Sequence, residues 1–173
     1  MSLNFVPDYR FEKFDMVTAD FLTQQGIKGV ILDIDNTLEP YENPMPGERV
    51  LTWLRSLDDR GIKYAIVSNN NKERVEEFNK NLKMPAYFKA GKPFKKKIIC
   101  AMNDIGTSND NTVFMGDQVF TDVWGAHNSK IPAILVPPIK DKTDPFTKIK
   151  RLLEKPFLKQ YDRKHSKKGA ITK

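Results

Sequence analysis

The sequence predicts an α/β domain in which one parallel sheet carries helices on both faces. Three observations point there. Short runs rich in β-branched and aromatic residues alternate with longer stretches whose apolar residues recur at helical spacing. The short runs are apolar throughout instead of alternating, as strands buried on both faces are. They are closed by Gly, Pro, Asn, Asp or Ser, the residues that favour turns. A chain of 173 residues has room for one such domain and a substantial core.

Taken in order, residues 5–16 are aromatic and irregular and are expected to wrap over the surface. Thr18 is placed to cap a short helix that Gly26 ends. Val30, Ile31 and Leu32 form the first buried strand, which stops at Asp33 and Asp35. Residues 39–46, EPYENPMP, are too proline-rich for a regular element and read as a loop or flap beside those aspartates. Val50, Leu51, Leu54 and Leu57 lie at helical spacing over 47–60, and Gly61 stops that helix. Residues 63–68 form a second buried strand running into Ser68, Asn69, Asn70 and Asn71, with Asn71 placed to cap the helix bearing Val75 and Phe78.

A short strand over 87–89 leads to Gly91, Lys92 and Pro93, and Pro93 suits the first turn of a helix carrying Phe94, Ile98, Met102 and Ile105. The strand at 112–115 closes on Gly116 and Asp117. A helix through Val123 and Trp124 and a strand over 131–136 follow, ended by Pro137 and Pro138. Residues 146–153 then form an amphipathic helix that sets Ile149, Leu152 and Leu153 on the sheet and breaks at Pro156. The expected division is therefore a domain over 1–154, with 1–26 as its wrapping segment and first helix, and a basic, flexible tail over 155–173. The crossovers are expected to be right-handed.

Composition excludes several classes. The single Cys100 cannot form an internal disulfide, which fits a reducing compartment. No apolar stretch approaches the ~20 residues of a membrane span. Asp8, Glu12 and Asp15 in the opening segment fit neither a secretory signal nor a transit peptide, so a cytoplasmic protein is expected. The net charge of +7 is concentrated from Lys155 onward, where seven basic residues face one acid, Asp162. Such a tail is ordinarily a solvated extension; anionic lipid and RNA are the polyanions it could meet.

Four strands end in polar or charged groups: Asp33 and Asp35, Ser68 and Asn69, Lys92, and Asp117 with Asp122. One such ending is a turn, but four at the carboxyl edge of one parallel sheet make a site. An Asp-x-Asp opening could also begin a calcium loop, but that loop requires a Gly at its sixth position and a Glu at its twelfth, where this chain has Leu38 and Pro44. Carboxylates gathered with a lysine and a hydroxyl suit chemistry on a phosphate ester, where attack brings anions together and a divalent cation must offset their repulsion. Oxygen ligands without Cys or His point to Mg2+. His127 and His165 have no ligand spacing, and Trp53, Trp124 and Cys100 are expected to be packing residues.

The order Asp33-Ile34-Asp35-Asn36-Thr37, Ser68, Lys92, Gly116-Asp117 and Asp122 resembles the four motifs of the haloacid dehalogenase (HAD) superfamily. The finer detail LDIDNTL, SNN, GKP and GDQVFTD resembles the YqeG-type phosphatases of that superfamily. The resemblance implies a Rossmann-like HAD domain and a catalytic set of Asp33 as nucleophile, Asp35 as general acid and base, Thr37 orienting Asp35 or bracing the loop, and Ser68 and Lys92. Ser68, the Asn69 N–H and Lys92 would bind the phosphoryl group. Asp33, the Asp35 carbonyl, Asp117 and Asp122 would hold Mg2+. An acid at position 35 implies phosphate monoesters as substrates.

The gaps between motifs are too short for a cap domain, which leaves an open site with only a short flap and suits a phosphate presented by something large. Some organellar relatives of the YqeG type act on phosphatidylglycerophosphate. That makes this lipid the leading expected substrate, with peripheral contact at the inner face of the membrane through the basic C-terminal region. The alternatives are a small or nucleotide phosphate as substrate, or a non-catalytic RNA- or ribosome-docking role on the same fold.

Overall fold

The apolar run at 30–32 becomes the middle of the sheet. In the computed structural model, which describes residues 4–140 and 145–169, the strands are β1 (Tyr9–Arg10), β2 (Gly29–Leu32), β3 (Lys63–Val67), β4 (Ala86–Tyr87), β5 (Thr112–Gly116) and β6 (Ala133–Leu135). All pair in parallel, in the order β1-β6-β5-β2-β3-β4. The helices are α1 (Ala19–Gln24), α2 (Glu48–Asp58), α3 (Lys72–Asn79), α4 (Lys96–Asp104), α5 (Trp124–Asn128) and α6 (Pro145–Gly169). From β2 the chain builds outward through β3 and β4, then crosses to the other side for β5 and β6. The topological switch point, where open α/β sheets hold ligands, thus lies at the carboxyl ends of β2 and β5.

Strand alternation sorts the core into two layers. Val30, Leu32, Ile66, Val113 and Met115 face a cluster built with Leu22, Val50, Leu54, Leu57, Val75 and Phe78 of α1, α2 and α3. Ile31, Ala65, Val67, Phe114 and Leu135 face Ile98, Ala101, Met102 and Ala126 of α4 and α5. Local signals hold where they were strongest. Thr18 Oγ1 accepts from the Phe21 N–H at 3.1 Å, Asn71 Oδ1 accepts from the Arg74 N–H at 2.9 Å, and Gly26 and Gly61 adopt φ of 72° and 67° just past their helices.

Four expectations are corrected. The segment 5–16 does more than wrap, since Tyr9 and Arg10 pair with Ile134 and Leu135 as an edge strand. Phe94 is 75 % exposed and precedes α4, because its N–H closes a turn onto the Gly91 carbonyl at 2.9 Å. Cys100 is only half-buried.

The largest correction concerns α6, which passes through Pro156 to Gly169, so the expected boundary at Lys155 falls inside a helix. Residues 170–173 lie outside the described ones. Proline removes one backbone donor from the helix, but contacts with the body hold it from outside. Buried Glu154 accepts from the Val119 N–H at 3.1 Å, and the Tyr161 hydroxyl accepts from the Arg10 N–H at 3.1 Å. Glu154, Phe157, Leu158 and Tyr161 form the stripe that faces the body, which turns Ile149, Leu152 and Leu153 out to 58 %, 60 % and 56 % exposure.

His127 ties the N-terminal segment to α5, with Nε2 2.9 Å from Asp8 Oδ2 and Nδ1 2.7 Å from the Asn4 carbonyl oxygen. Burial disfavours charge on both groups, yet their pairing outweighs it, so His127 titrates above its usual 6.5 and Asp8 below its usual 3.8. The His127 contribution is complete below about 6.5 and is lost as pH rises through the raised value; the Asp8 contribution is lost only as pH falls through its lowered one. Thermal melts of His127→Gln should therefore fall further below wild type at about pH 5.5 than at about pH 9.

Candidate active site

Asp33 follows β2 directly, and its N–H still bonds the Met115 carbonyl at 3.0 Å, which fixes it beside the end of β5. Asp117 follows β5, and Asp122 lies in the wide π-helical turn Val119–Val123. Their carboxylate oxygens come within 4.8 Å of one another, and the three residues are 6 %, 2 % and 1 % exposed. Lys92 Nζ sits 2.8 Å from Asp33 Oδ1 and 2.8 Å from Asp122 Oδ1. It also lies 5.2 Å from the centroid of the Phe114 ring.

Burial above all, with the Asp122 and Asp117 charges, pushes the Asp33 pKa up to about 7 against the pull of Lys92. Burial disfavours the Lys92 ammonium, but Asp122 and Asp33 outweigh it and raise its pKa. Three carboxylates thus gather around one ammonium in a buried site. A hard divalent cation such as Mg2+ matches this acidic, all-oxygen donor set.

Neutral groups hold this arrangement in place. The Asn69 side chain clamps the Lys92 backbone, donating from Nδ2 to its carbonyl at 3.1 Å and accepting from its N–H at Oδ1 at 2.7 Å. Asp122 Oδ2 accepts from the Gln118 N–H at 3.0 Å, so this residue turns inward and does not cap the following helix. Gly116 is required by close approach, since a methyl group there would overlap the Asp122 carboxyl group. Asn36 takes the left-handed φ of 62° that carries the chain from Asp33 into the loop, a conformation Asn tolerates.

The remaining expected residues are distributed differently. The Asp35 carboxylate is 2.9 Å from Arg74 Nε at Oδ1 and 2.8 Å from Asn70 Nδ2 at Oδ2. The buried hydroxyl of Thr37, expected to orient Asp35 or brace the loop, has no hydrogen-bond partner among the described residues. The side-chain partners of Asp35 are Arg74 and Asn70. Ser68 is buried at the end of β3, and its Oγ accepts from the Asn70 N–H at 3.1 Å.

Asn70, Arg74, Glu39 and Glu154 were not singled out in the sequence. Asn70 stood in a run of three asparagines read as a strand end, and Arg74 among the charges of a helix opening. Glu39 closes the proline-rich loop on itself, its Oε1 accepting from the Gly47 N–H and its Oε2 from Asn43 Nδ2, both at 2.8 Å.

A cavity of about 570 Å³ opens beside Asp117, walled by Phe11, Val136, Pro138, Leu158 and Tyr161. Its mixed wall could take the part of a substrate that is not phosphate.

Comparison with known proteins identifies the family and the fold. The family model described as haloacid dehalogenase-like hydrolase matches residues 24–136. The chain is 34 % identical over 160 residues to the probable phosphatase YqeG of Bacillus subtilis, which covers 92 % of this chain and 93 % of the relative. Among solved structures, it is similar to the cobalt-bound deoxy-D-mannose-octulosonate 8-phosphate phosphatase of Haemophilus influenzae, with a TM-score of 0.53, 14 % identity and coverage of 80 % of this chain and 91 % of that one. It is also similar to the 3-deoxy-D-manno-octulosonate 8-phosphate phosphatase of Moraxella catarrhalis, solved with magnesium ion, phosphate ion and KDO, with a TM-score of 0.52, 14 % identity and coverage of 86 % and 98 %. These two structures support the fold.

Two outcomes follow from the geometry. Gly116→Ala should cost ~1–3 kcal/mol in urea unfolding through overpacking against Asp122. Because Asp33 binds its proton up to about 7, the cation-free fold loses stability as pH rises toward that value, and a cation must displace the proton below it. The rise in Tm produced by a fixed Mg2+ concentration should therefore grow from about pH 5.5 to about pH 7.5 and then level off.

Proposed function

From the fact that the chain belongs to the haloacid dehalogenase-like hydrolase family, as a phosphatase of that family, we propose that it hydrolyses phosphate monoesters through an aspartyl-phosphate on Asp33. A carboxylate oxygen of Asp33 attacks phosphorus, the bond from phosphorus to the ester oxygen breaks, and Asp35 gives its proton to the departing oxygen to yield the alcohol. Water then attacks the same phosphorus while Asp35 takes its proton. The bond to Asp33 breaks, and inorganic phosphate leaves with the enzyme restored.

Lys92 offsets charge on the transferring group, and Ser68 and the Asn69 N–H bind its oxygens. Asp33, the Asp35 carbonyl and Asp117 would hold Mg2+ with Asp122 in support; bound there, the ion supplies positive charge against the incoming phosphate. The observation that carries this reading is the convergence of Asp33, Asp117, Asp122 and Lys92 at one buried strand edge.

Phosphatidylglycerophosphate is the proposed substrate. Among the described residues no helix is long and apolar enough to cross a membrane. Support for a lipid comes from α6, whose exposed Ile149, Leu152 and Leu153 share the helix with exposed Lys155 and Lys159, a pairing suited to an anionic bilayer surface.

A phosphate-release screen tests the proposal, with phosphatidylglycerophosphate in mixed micelles beside a sugar phosphate and a nucleotide. The lipid should be turned over with the highest kcat/KM, and EDTA should abolish release. Asp33→Asn should lose at least ~10³-fold in kcat. Preference for a soluble phosphate would reject the lipid alone. Intact cellular function of Asp33→Asn would instead favour docking on RNA or the ribosome.

A further inference from the structure

Arg74 is a buried cation that lies outside the carboxylate cluster and that the phosphatase reading leaves without a task. It is 8 % exposed, near the start of α3, with its guanidinium carbon 5.5 Å from the centroid of the Phe78 ring. Its Nε donates to Asp35 Oδ1 at 2.9 Å, and its Nη1 donates to the Pro44 carbonyl at 2.9 Å. Asn70 Nδ2 holds the other Asp35 oxygen at 2.8 Å. The third guanidinium nitrogen, Nη2, is buried without a hydrogen-bond partner among the described residues. Desolvating a guanidinium and leaving one of its nitrogens unsatisfied is unfavourable. An apolar residue packed on Phe78 would fill the same space more cheaply.

Both contacts that offset this cost have a mechanistic address: one is the second aspartate of the site and the other is the backbone of the proline-rich loop that borders it. The guanidinium is a rigid planar fork, so the two contacts are made together or strained together. The loop is in turn closed by Glu39, and the isolated bridge between Asp35 and Glu39 ties its base to the segment carrying the acid.

We infer that Arg74 is a positioning residue for Asp35: it sets the orientation of the carboxylate that exchanges protons with the leaving oxygen and with water, and it links that orientation to the position of the loop at Pro44. The inference rests on the proposed roles of Asp33 and Asp35. It adds that the proline-rich loop and the proton-transferring carboxylate move as one unit. A substrate that displaces the loop reorients the acid.

A purely structural role for Arg74 makes a different prediction, and leaving groups separate the two. An alkyl phosphate needs its departing oxygen protonated, whereas p-nitrophenyl phosphate releases a stable anion and needs little help. The kcat/KM ratio reports steps up to the first irreversible one, the transfer to Asp33. Asp35→Asn should lose ~10²–10⁴-fold in kcat/KM on a primary alkyl phosphate and much less on the aryl ester.

Arg74→Met, assayed in the full-length Mg2+-loaded protein, should show the same selectivity, with a loss at least ~10-fold larger on the alkyl than on the aryl ester. In the Asp35→Asn background it should add little. Arg74→Lys keeps a buried cation but cannot reach both partners at once, so it should show the same selectivity at smaller amplitude and serves if Arg74→Met does not fold.

Equal losses of Arg74→Met or Arg74→Lys on the two esters, or losses that multiply with that of Asp35→Asn, would overturn the role of Arg74 while leaving the phosphatase reading intact. A loss in Asp35→Asn that does not depend on the leaving group would remove the premise itself.

Discussion

A single ammonium between two buried carboxylates is the constraint on which this site depends. Lys92 bridges Asp33 and Asp122 where water is largely excluded, and Asp117 brings a third acid to the same cluster. Removing one partner from such a buried pair typically costs ~3–5 kcal/mol, because the charge left behind has no solvent to turn to. Gathering three carboxylates where water is largely excluded is an unfavourable imbalance that makes the cluster receptive to a dication. The Asp33 pKa of about 7 expresses that imbalance, since burial and its acidic neighbours outweigh the lysine.

The scaffold around the cluster shows how such a site is held without strain spreading through the core. Asp33 and Asp117 stand at the ends of strands whose own residues are buried, so each is placed by a rigid ladder. Neutral polar groups then set the orientation. Asn69 grips the backbone of Lys92, the Gln118 N–H turns Asp122 inward, and Gly116 leaves room for its carboxyl group. A second polar layer, built from Asn70, Arg74 and Glu39, holds Asp35 and the proline-rich loop. The two layers meet through the short segment from Asp33 to Asp35 and through the adjacent Asn69 and Asn70.

The periphery serves the same edge of the sheet. Helix α6 reaches back over the π-helical turn through Glu154, and the N-terminal segment packs on α6 through Arg10, Tyr161 and Phe5 against Phe157. Together they wall the cavity beside Asp117. Residues beyond 154, which the sequence alone sets apart as a tail, thus help to shape that cavity.

Local chemistry by itself determined the strands other than β1, the cap residues Thr18 and Asn71, the glycine stops and the places of Asp33, Asp35, Ser68, Lys92, Asp117 and Asp122 at or shortly after strand ends, because each signal spans a few neighbouring residues. Only the tertiary structure decided which distant groups touch. Arg74 and Asn70 meet Asp35 across more than thirty positions, and Glu154 meets Val119 from thirty-five positions away. No periodicity encodes such a meeting. The same reason explains α6: Pro156 argues locally for a break, and the contacts of Glu154 and Tyr161 with the folded body override it.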